Sequence, residues 1–476
     1  MTTAAESLNC SIGPPAGPPG ERLDVIVPSD AGYDDARLAW NLFADQRPAA
    51  ICRAASVHDV QDALAYARER GWRVTAQTTG HFAQVLPDLS DVLLLKLALP
   101  AGGVAVDAVA RAARVSAGAT WGDVIDAVAP HGLTGMHGTS PSVGVIGYLL
   151  GGGLSFYARA HGLACNHVLG FEVVTADGHS RHVDAESEAD LFYALRGGGG
   201  GYAVVTSVQI ELLPYPEVTA GSMSFSVDHA EALLRTWNAW TKHAGESITT
   251  TFRLMNLPPL PQVPEPLRGV QTVCIDGVAL EADEAERLEA QLRSVATPLL
   301  GGFGAMPAAA VTRLHGDPED PMPGIGDGVL LAKLDDQGID AFLRVARDSP
   351  LALAELRHLG GALARSPQGA GALDHFDGEF LLYGAGVPGA PAPAAELNAC
   401  LDQFLSALKP WASGSRFLSF AERSYSLDGS ITPEALERAR QTRAIWDPDR
   451  LLIGPPDGLE PPAPLAGLAE ALSPAH

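Results

Sequence analysis

The sequence predicts a layered mixture of helices and strands, α/β or α+β, divided into two or three domains, and three observations carry that prediction. Its 476 residues exceed the roughly 250–300 at which a single hydrophobic core stops growing. The first third alternates strand-like and helix-like segments, which fits stacked layers of sheet and helix. Pro214 and Pro216 then mark a boundary, beyond which the alternation suits an antiparallel sheet with helices on one side.

The chain opens with a Pro/Gly-rich stretch, MTTAAESLNCSIGPPAGPPGERLDV, that reads as a flexible leader over residues 1–32. It has no basic segment followed by an apolar one, so it does not read as a signal peptide. Arg37 to Phe43 reads as a short helix and Ala49 to Ala54 as a strand. Val60, Leu64 and Ala67, with Ala63 beside them, recur at helical spacing within Val57–Arg70. Gly71 closes that helix and Trp72–Ala76 is the next strand. Strands follow at Val92–Leu95, Val104–Val106 and Ala113–Ala117, and a helix at Asp123–His131. Past a glycine-dense stretch at 138–155, Leu169–Thr175 and Val204–Leu213 are strand-like, with a helix at Ala189–Leu195 between them.

The second region has strands at Gly221–Val227, Thr249–Met255, Gly269–Gly277, Ala354–Leu359 and Glu379–Val387. Helices are expected at His229–His243, Glu281–Val295, Phe342–Ser349 and Ala394–Leu408. Pro258–Pro266 and Gly316–Gly328 read as surface loops. A helix at Pro433–Trp446 and a Pro-rich tail from Pro455 complete the chain.

Composition narrows the function classes. Hydrophobic residues at 46% and charged residues at 18% exclude a disordered chain. With 32 Lys and Arg against 56 Asp and Glu, the formal net charge of −24 disfavours nucleic acid and anionic membranes as partners. No window approaches the 18 or so apolar residues of a membrane span. The five cysteines, Cys10, Cys52, Cys165, Cys274 and Cys400, are scattered and form no CxxC pair. They read as buried small hydrophobes in a reducing compartment, and the expected location is the cytoplasm. No histidine spacing supports a metal site. The 51 glycines and 36 prolines, about half again the average usage of roughly 12%, need turns, linkers or close backbone approaches to accommodate them.

Three runs carry chemistry. Gly138-Thr-Ser-Pro-Ser-Val-Gly144-Val-Ile-Gly147-Tyr-Leu-Leu-Gly151-Gly-Gly153 can turn main-chain amides together toward an anion such as a pyrophosphate, or can be a glycine-rich turn packing two strands. It fits neither G-x-G-x-x-G nor the P-loop pattern. Gly197–Gly201, ahead of the strand Ala203–Thr206, implies a ligand or a close backbone crossing. Gln77-Thr78-Thr79-Gly80-His81, at the end of a strand, forms a plausible ligand loop.

Together these runs resemble the berberine-bridge-enzyme-like branch of the FAD-linked oxidases, bacterial type, which share the vanillyl-alcohol-oxidase/p-cresol-methylhydroxylase fold. Asp190-Leu-Phe-Tyr-Ala-Leu-Arg-Gly-Gly-Gly199 with Val204-Val-Thr206 is similar to the family's second glycine loop and strand. Trp446-Asp447-Pro448-Asp449 is similar to its C-terminal return into the flavin domain. The resemblance implies an α+β fold: an FAD-binding domain from residues 33–215 plus 416–476, and an inserted antiparallel-sheet substrate domain at 216–415. It implies FAD held by Gln77, Thr78, Thr79, Gly80 and His81, by Gly138, Thr139, Ser140, Val143, Gly144, Gly147, Gly151, Gly152 and Gly153, and by Gly199, Val205 and Ser419. His81 would carry the covalent flavin link. Many members have a second link through a cysteine where this chain has Ser140, so a single link is expected, and Cys165 lies outside the pattern. Val143 takes the position associated with oxygen access.

The chain departs from the family at Phe417 and Ser419, where Tyr and Asn are common, and at Gly201, where Asn is common. The catalytic base is therefore sought elsewhere, at Tyr383, Glu355 or Tyr148. Tyr202 either lines the flavin or packs behind it. The implied activity is oxidation of a hydroxyl- or amine-bearing carbon in a small molecule, with O2 as acceptor giving H2O2. The alternatives are a dehydrogenase using another acceptor and a non-catalytic flavoprotein.

Overall fold

The computed structural model describes residues 23–99, 103–347, 349–389 and 391–455. Among them the strands form three sheets. The first joins β1 (Val25–Ile26), β2 (Ala50–Ala54), β3 (Arg73–Gln77) and β4 (Val92–Leu97) in the order β1-β2-β4-β3, with β2 and β3 parallel to β4. The short helix α1 (Tyr33–Ala36) and the longer α2 (Val57–Glu69) belong to this layer. α2 starts where Ser56 accepts the Asp59 N–H and the Asp59 carboxylate accepts the Ser56 N–H, a reciprocal cap. Its stripe Val60, Ala63, Leu64 and Ala67 is buried. Ser56→Ala is expected to cost about 1 kcal/mol, read as a lower denaturant midpoint at unchanged slope.

The second sheet joins β5 (Val104–Asp107), β6 (Ala112–Ser116), β7 (Val168–Thr175), β8 (Ser180–Val183) and β9 (Ala203–Glu211) in the antiparallel order β5-β6-β9-β7-β8. With it come α3 (Trp121–Val128), α4 (Val145–Leu150), α5 (Ala158–His161) and α6 (Ala189–Leu195). One core, including Leu93, Leu95, Val115, Val173 and Val208, unites the first two sheets.

The third sheet is wholly antiparallel. Its strands are β10 (Glu217–Ser226), β11 (Ile248–Asn256), β12 (Gln271–Ala279), β13 (Leu300–Pro307), β14 (Ile325–Leu331), β15 (Leu353–His358) and β16 (Phe380–Gly386), in the order β13-β10-β12-β11-β15-β16-β14. Side chains alternate between its faces. Phe252, Ile275, Leu356 and Leu382 share a core with helices α7 (Ala230–Thr241), α8 (Ala282–Val295), α9 (Asp336–Ala346) and α10 (Ala394–Leu408). The interleaved residues Thr251, Arg253, Asp276, Glu355, Arg357 and Tyr383 lie on the other face, because β11, β12, β15 and β16 place them opposite one another.

The chain returns to the first sheet through α11 (Pro433–Trp446). The buried carboxylate of Asp447 accepts the N–H groups of Leu451 and Leu452, each at 2.8 Å, and lies 3.5 Å from the buried guanidinium of Arg443. Leu451–Ile453 then runs beside β3, with Val74 N–H bonded to Leu451 O and Ile453 N–H to Val74 O. This covers an edge that would otherwise present unpaired amides.

Four expectations are corrected. Arg37–Phe43 is not helical: α1 precedes it, and the N–H groups of Trp40, Asn41 and Leu42 bond to the carbonyls of Thr79, Gly80 and Met322. Val25–Ile26, inside the expected leader, pairs with Ile51 and Cys52; residues 1–22, Cys10 among them, and the tail after Pro455 lie outside the described residues. The segment Gly316–Gly328 is a loop only at first, since β14 begins at Ile325. α9 begins ahead of Phe342 because Asp335 caps it through the Gly338 N–H. The glycine-broken strand β13 escaped notice because Leu300-Gly-Gly-Phe-Gly lacks a strand pattern.

Candidate active site

Two loops meet at the carboxyl ends of the first-sheet strands. Thr78–Phe82 follows β3, and Gly138–Gly144 leads into α4. A Cβ on Gly144 would stand 3.1 Å from Thr78, so the loops run side by side. Among the described residues, the N–H groups of Thr79, Gly80, His81 and Phe82 donate to no protein acceptor. The same holds for Val143, Gly144, Ile146 and Gly147. Such free amides at a loop and a helix start suit an anion.

His81 stands where the loops touch. Its ring stacks on Trp40 at 4.1 Å and 14°. Nδ1 lies 2.9 Å from Thr79 Oγ1 and Nε2 lies 3.3 Å from Ser142 Oγ, which in turn is 2.9 Å from Ser140 Oγ. Burial pulls its pKa down to about 4, so the imidazole is neutral and one ring nitrogen is unprotonated. Gln77 lies beneath, bonded to Gln46 at 3.0 Å and to the ammonium of Lys96.

Facing these loops is the polar side of the third sheet. Asp276 pairs with Arg253 and with His315 (3.0 Å), and Arg357 pairs with Glu355 (2.8 Å). Against burial and Arg253, the carboxylates Asp276, Asp317 and Glu355 lift His315 to about 9. Against burial, Arg357 and His315 hold the Glu355 carboxyl far below the usual range. Asp317 crosses to the other side and accepts from Thr139 Oγ1 at 2.5 Å. Next to this cluster Tyr383 donates to Glu422 at 2.7 Å, and Gln84, three residues past His81, donates to the other oxygen at 3.2 Å. Burial lifts the Glu422 carboxyl to about 7, the Tyr383 bond opposing and Asp327 adding to the rise. Burial, then Glu422, pushes the Tyr383 phenol well above its usual value.

A family described as FAD binding domain matches residues 48–184. The whole fold is similar to that of berberine-bridge-enzyme-like 1 of Physcomitrella patens, with a TM-score of 0.79 at 19% identity over 92% of this chain and 97% of that one. Residues 48–184 thus match an FAD binding domain, set in a berberine-bridge-enzyme-like fold. The crystal structure of 6-hydroxy-D-nicotine oxidase from Arthrobacter nicotinovorans gives a TM-score of 0.78 at 23% identity, covering 92% and 98%. Among curated relatives, (R)-6-hydroxynicotine oxidase of Paenarthrobacter nicotinovorans is 31% identical over 209 residues, 44% of this chain and 45% of that one. Glucooligosaccharide oxidase of Sarocladium strictum is 35% identical over 190 residues, 39% and 38% respectively. These sequence matches span about half or less of each relative's length.

The FAD domain's two loops fit that cofactor, because free amides match the pyrophosphate and a neutral imidazole stands among them. The residues named from the sequence divide into groups. Thr78, Thr79, Gly80, His81, Thr139, Ser140, Val143, Gly144 and Gly147 come together at the loop junction, with Gln77 supporting from below. Gly138 and Gly153 instead enclose the Tyr148 ring, whose buried hydroxyl has no partner among the described residues and whose pKa burial drives well up. Gly151 and Gly152 close α4 with their own N–H groups, and Ser419 donates to Gly151 O at 3.2 Å. Gly199 packs on Leu418 and Pro455, and Val205 is buried in β9. Gly201, at φ +87°, lies against Arg443 and the Cα of Gly454, where a Cβ would collide. The second glycine run thus serves a close backbone crossing. Tyr202 is buried and donates to Gly198 O at 3.0 Å, behind the loop. Sequence reasoning missed Glu422, Gln84, Trp40, His315 and Asp317. The signal for Gln84 was its place three residues beyond His81, and for Glu422 its place after Phe417–Phe420. The other three sit on irregular segments whose partners are remote in sequence.

Proposed function

We propose that this chain is an FAD-dependent oxidase acting on a hydroxyl- or amine-bearing carbon of a small organic molecule. The observation that carries the reading is the Tyr383–Glu422 pair, which meets Gln84 of the His81 loop across the boundary between sheets. When bound, FAD supplies two-electron chemistry, taking hydride from the substrate carbon and returning the electrons to O2 as H2O2. The amides of 79–82 and of 143, 144, 146 and 147 would hold its pyrophosphate, and neutral His81 is its single covalent tether, with Ser140 in place of a second.

In this reading the Tyr383 oxygen accepts the proton of the substrate's O–H or N–H as its own proton passes to Glu422. A neutral phenol is a poor base alone; a carboxylate at 2.7 Å gives its proton somewhere to go. Glu355, already paired with Arg357 and His315, and Tyr148, enclosed by glycines, serve as supports. Residues 33–215 with 416–476 are the FAD-binding unit and 216–415 the substrate unit. That the relatives include oxidases named for a hydroxynicotine and a glucooligosaccharide supports the reaction type and leaves both nitrogen and oxygen substrates in play.

Acid-precipitated protein is expected to retain yellow colour, and the band on a denaturing gel to fluoresce. His81→Ala is expected to abolish the fluorescent band while the native protein still takes up FAD. Colourless protein that no added FAD reconstitutes would overturn the reading, and fluorescence surviving in His81→Ala would move the tether elsewhere.

A further inference from the structure

Among the described residues, Asp276, Glu355 and Asp327 on the polar face of the third sheet and at its margin are each paired with cations, and Glu422 is not. Asp276 has Arg253 and His315, Glu355 has Arg357 at 2.8 Å and His315 at 3.7 Å, and Asp327 has Arg416 at 3.2 Å and Arg423 at 2.9 Å. Asp317 lies in the field of Arg253, His315 and Arg357. Glu422 has none. Its two oxygens accept from the neutral groups of Tyr383 and Gln84, and the charge that acts on it is the negative one of Asp327. Its neighbour Arg423 is turned to Asp327 and Asp402, and Arg416 to Asp327. Beside it lie aromatic rings: Tyr383 meets Phe420 edge-on at 5.1 Å, and Phe420 stacks on Phe417 at 5.5 Å.

A partly buried carboxylate without a counter-charge is costly to ionise, and a site that keeps one lacks a positive charge. We propose that the substrate brings it: the site takes an organic ammonium, whose basic nitrogen sits on the carbon to be oxidised and whose charge settles against Glu422 beside the Tyr383 and Phe420 rings. This rests on the oxidase reading and narrows it from alcohols and amines to amines. Each carboxylate oxygen uses one lone pair on Tyr383 or Gln84 and keeps another. The ammonium N–H proton passes through the Tyr383 oxygen to the Glu422 carboxylate, giving the neutral amine and the neutral carboxylic acid. The amine is then in the form whose α-carbon can release hydride. A neutral alcohol lacks the charge that would be drawn to Glu422.

The test needs no turnover. Calorimetric titration of the purified protein under anaerobic conditions at about pH 8 compares (2-hydroxyethyl)trimethylammonium with its neutral isostere, 3,3-dimethylbutan-1-ol. The cation is expected to bind at least about tenfold more tightly, a difference of about 1.4 kcal/mol. Glu422→Gln should abolish that preference, while Tyr383→Phe, which keeps the carboxylate, should retain it. Equal binding of the two probes, no binding of the cation, or a preference that survives Glu422→Gln overturns the proposal. Protein that carries covalent flavin and releases H2O2 yet shows no cation preference would sink this inference and leave the oxidase reading standing.

Discussion

Glu422→Gln lowers the anaerobic rate of flavin reduction by about 10²–10⁴-fold, the usual contribution of a positioned base. The wild-type second-order rate constant for flavin reduction, which reports the free protein, is expected to rise with pH through about 7, because only the ionised carboxylate can take the proton that Tyr383 hands on. In the Gln variant the inflection disappears with the rate, and Tyr383→Phe shows the same two changes. A rapid-mixing pH series on the three proteins decides it. A Glu422→Gln enzyme that is slow but keeps the inflection near 7 would make the residue a structural support and place the base elsewhere.

Loss of the Asp276 carboxylate destabilises the third sheet by about 3–5 kcal/mol, since it strands a buried charge. Arg253 and His315 both pair with it, and Thr251 donates to it from β11. Removing one partner from such a cluster leaves the others desolvated and unpaired, which costs more than the pair ever contributed. The pH dependence has a definite sign. The folded His315 titrates at about 9 against 6.5 unfolded, so its contribution is full below pH 6.5 and is lost as pH rises through about 9. Chemical denaturation at the two ends of that window should show the wild type weakening with pH and Asp276→Ala lacking most of that slope. Equal slopes would mean that His315 draws its proton affinity from Glu355 and Asp317 instead.

Regular elements were legible because burial repeats along them. The stripe of α2, the full span of α10 and the start and stop of α11 all follow from apolar spacing and caps. The His81 loop was legible for a different reason: polar residues and a glycine at a strand end have few structural uses. Hidden from the sequence were arrangements that depend on a distant partner. Arg37–Phe43 has a tolerable helical pattern, yet its amides are claimed by Thr79, Gly80 and Met322. Glu422 is one acid among many until β16 brings Tyr383 to it and the turn after His81 brings Gln84. The five glycines at 197–201 announced a tight place, and only the fold shows that what passes through it is the backbone at Gly454.

That crossing and the pairing of Leu451–Ile453 with β3 have a temporal side. Translation delivers these residues only after every strand of the third sheet has been made. Until then the strand carrying the His81 loop has a bare edge, and Arg443 and Asp447 are not yet there to fasten it. A ribosome-bound chain stalled anywhere in the inserted sheet should therefore be unable to mature its flavin site, whatever the supply of FAD. Uptake of the cofactor would then report that synthesis has run at least as far as Ile453.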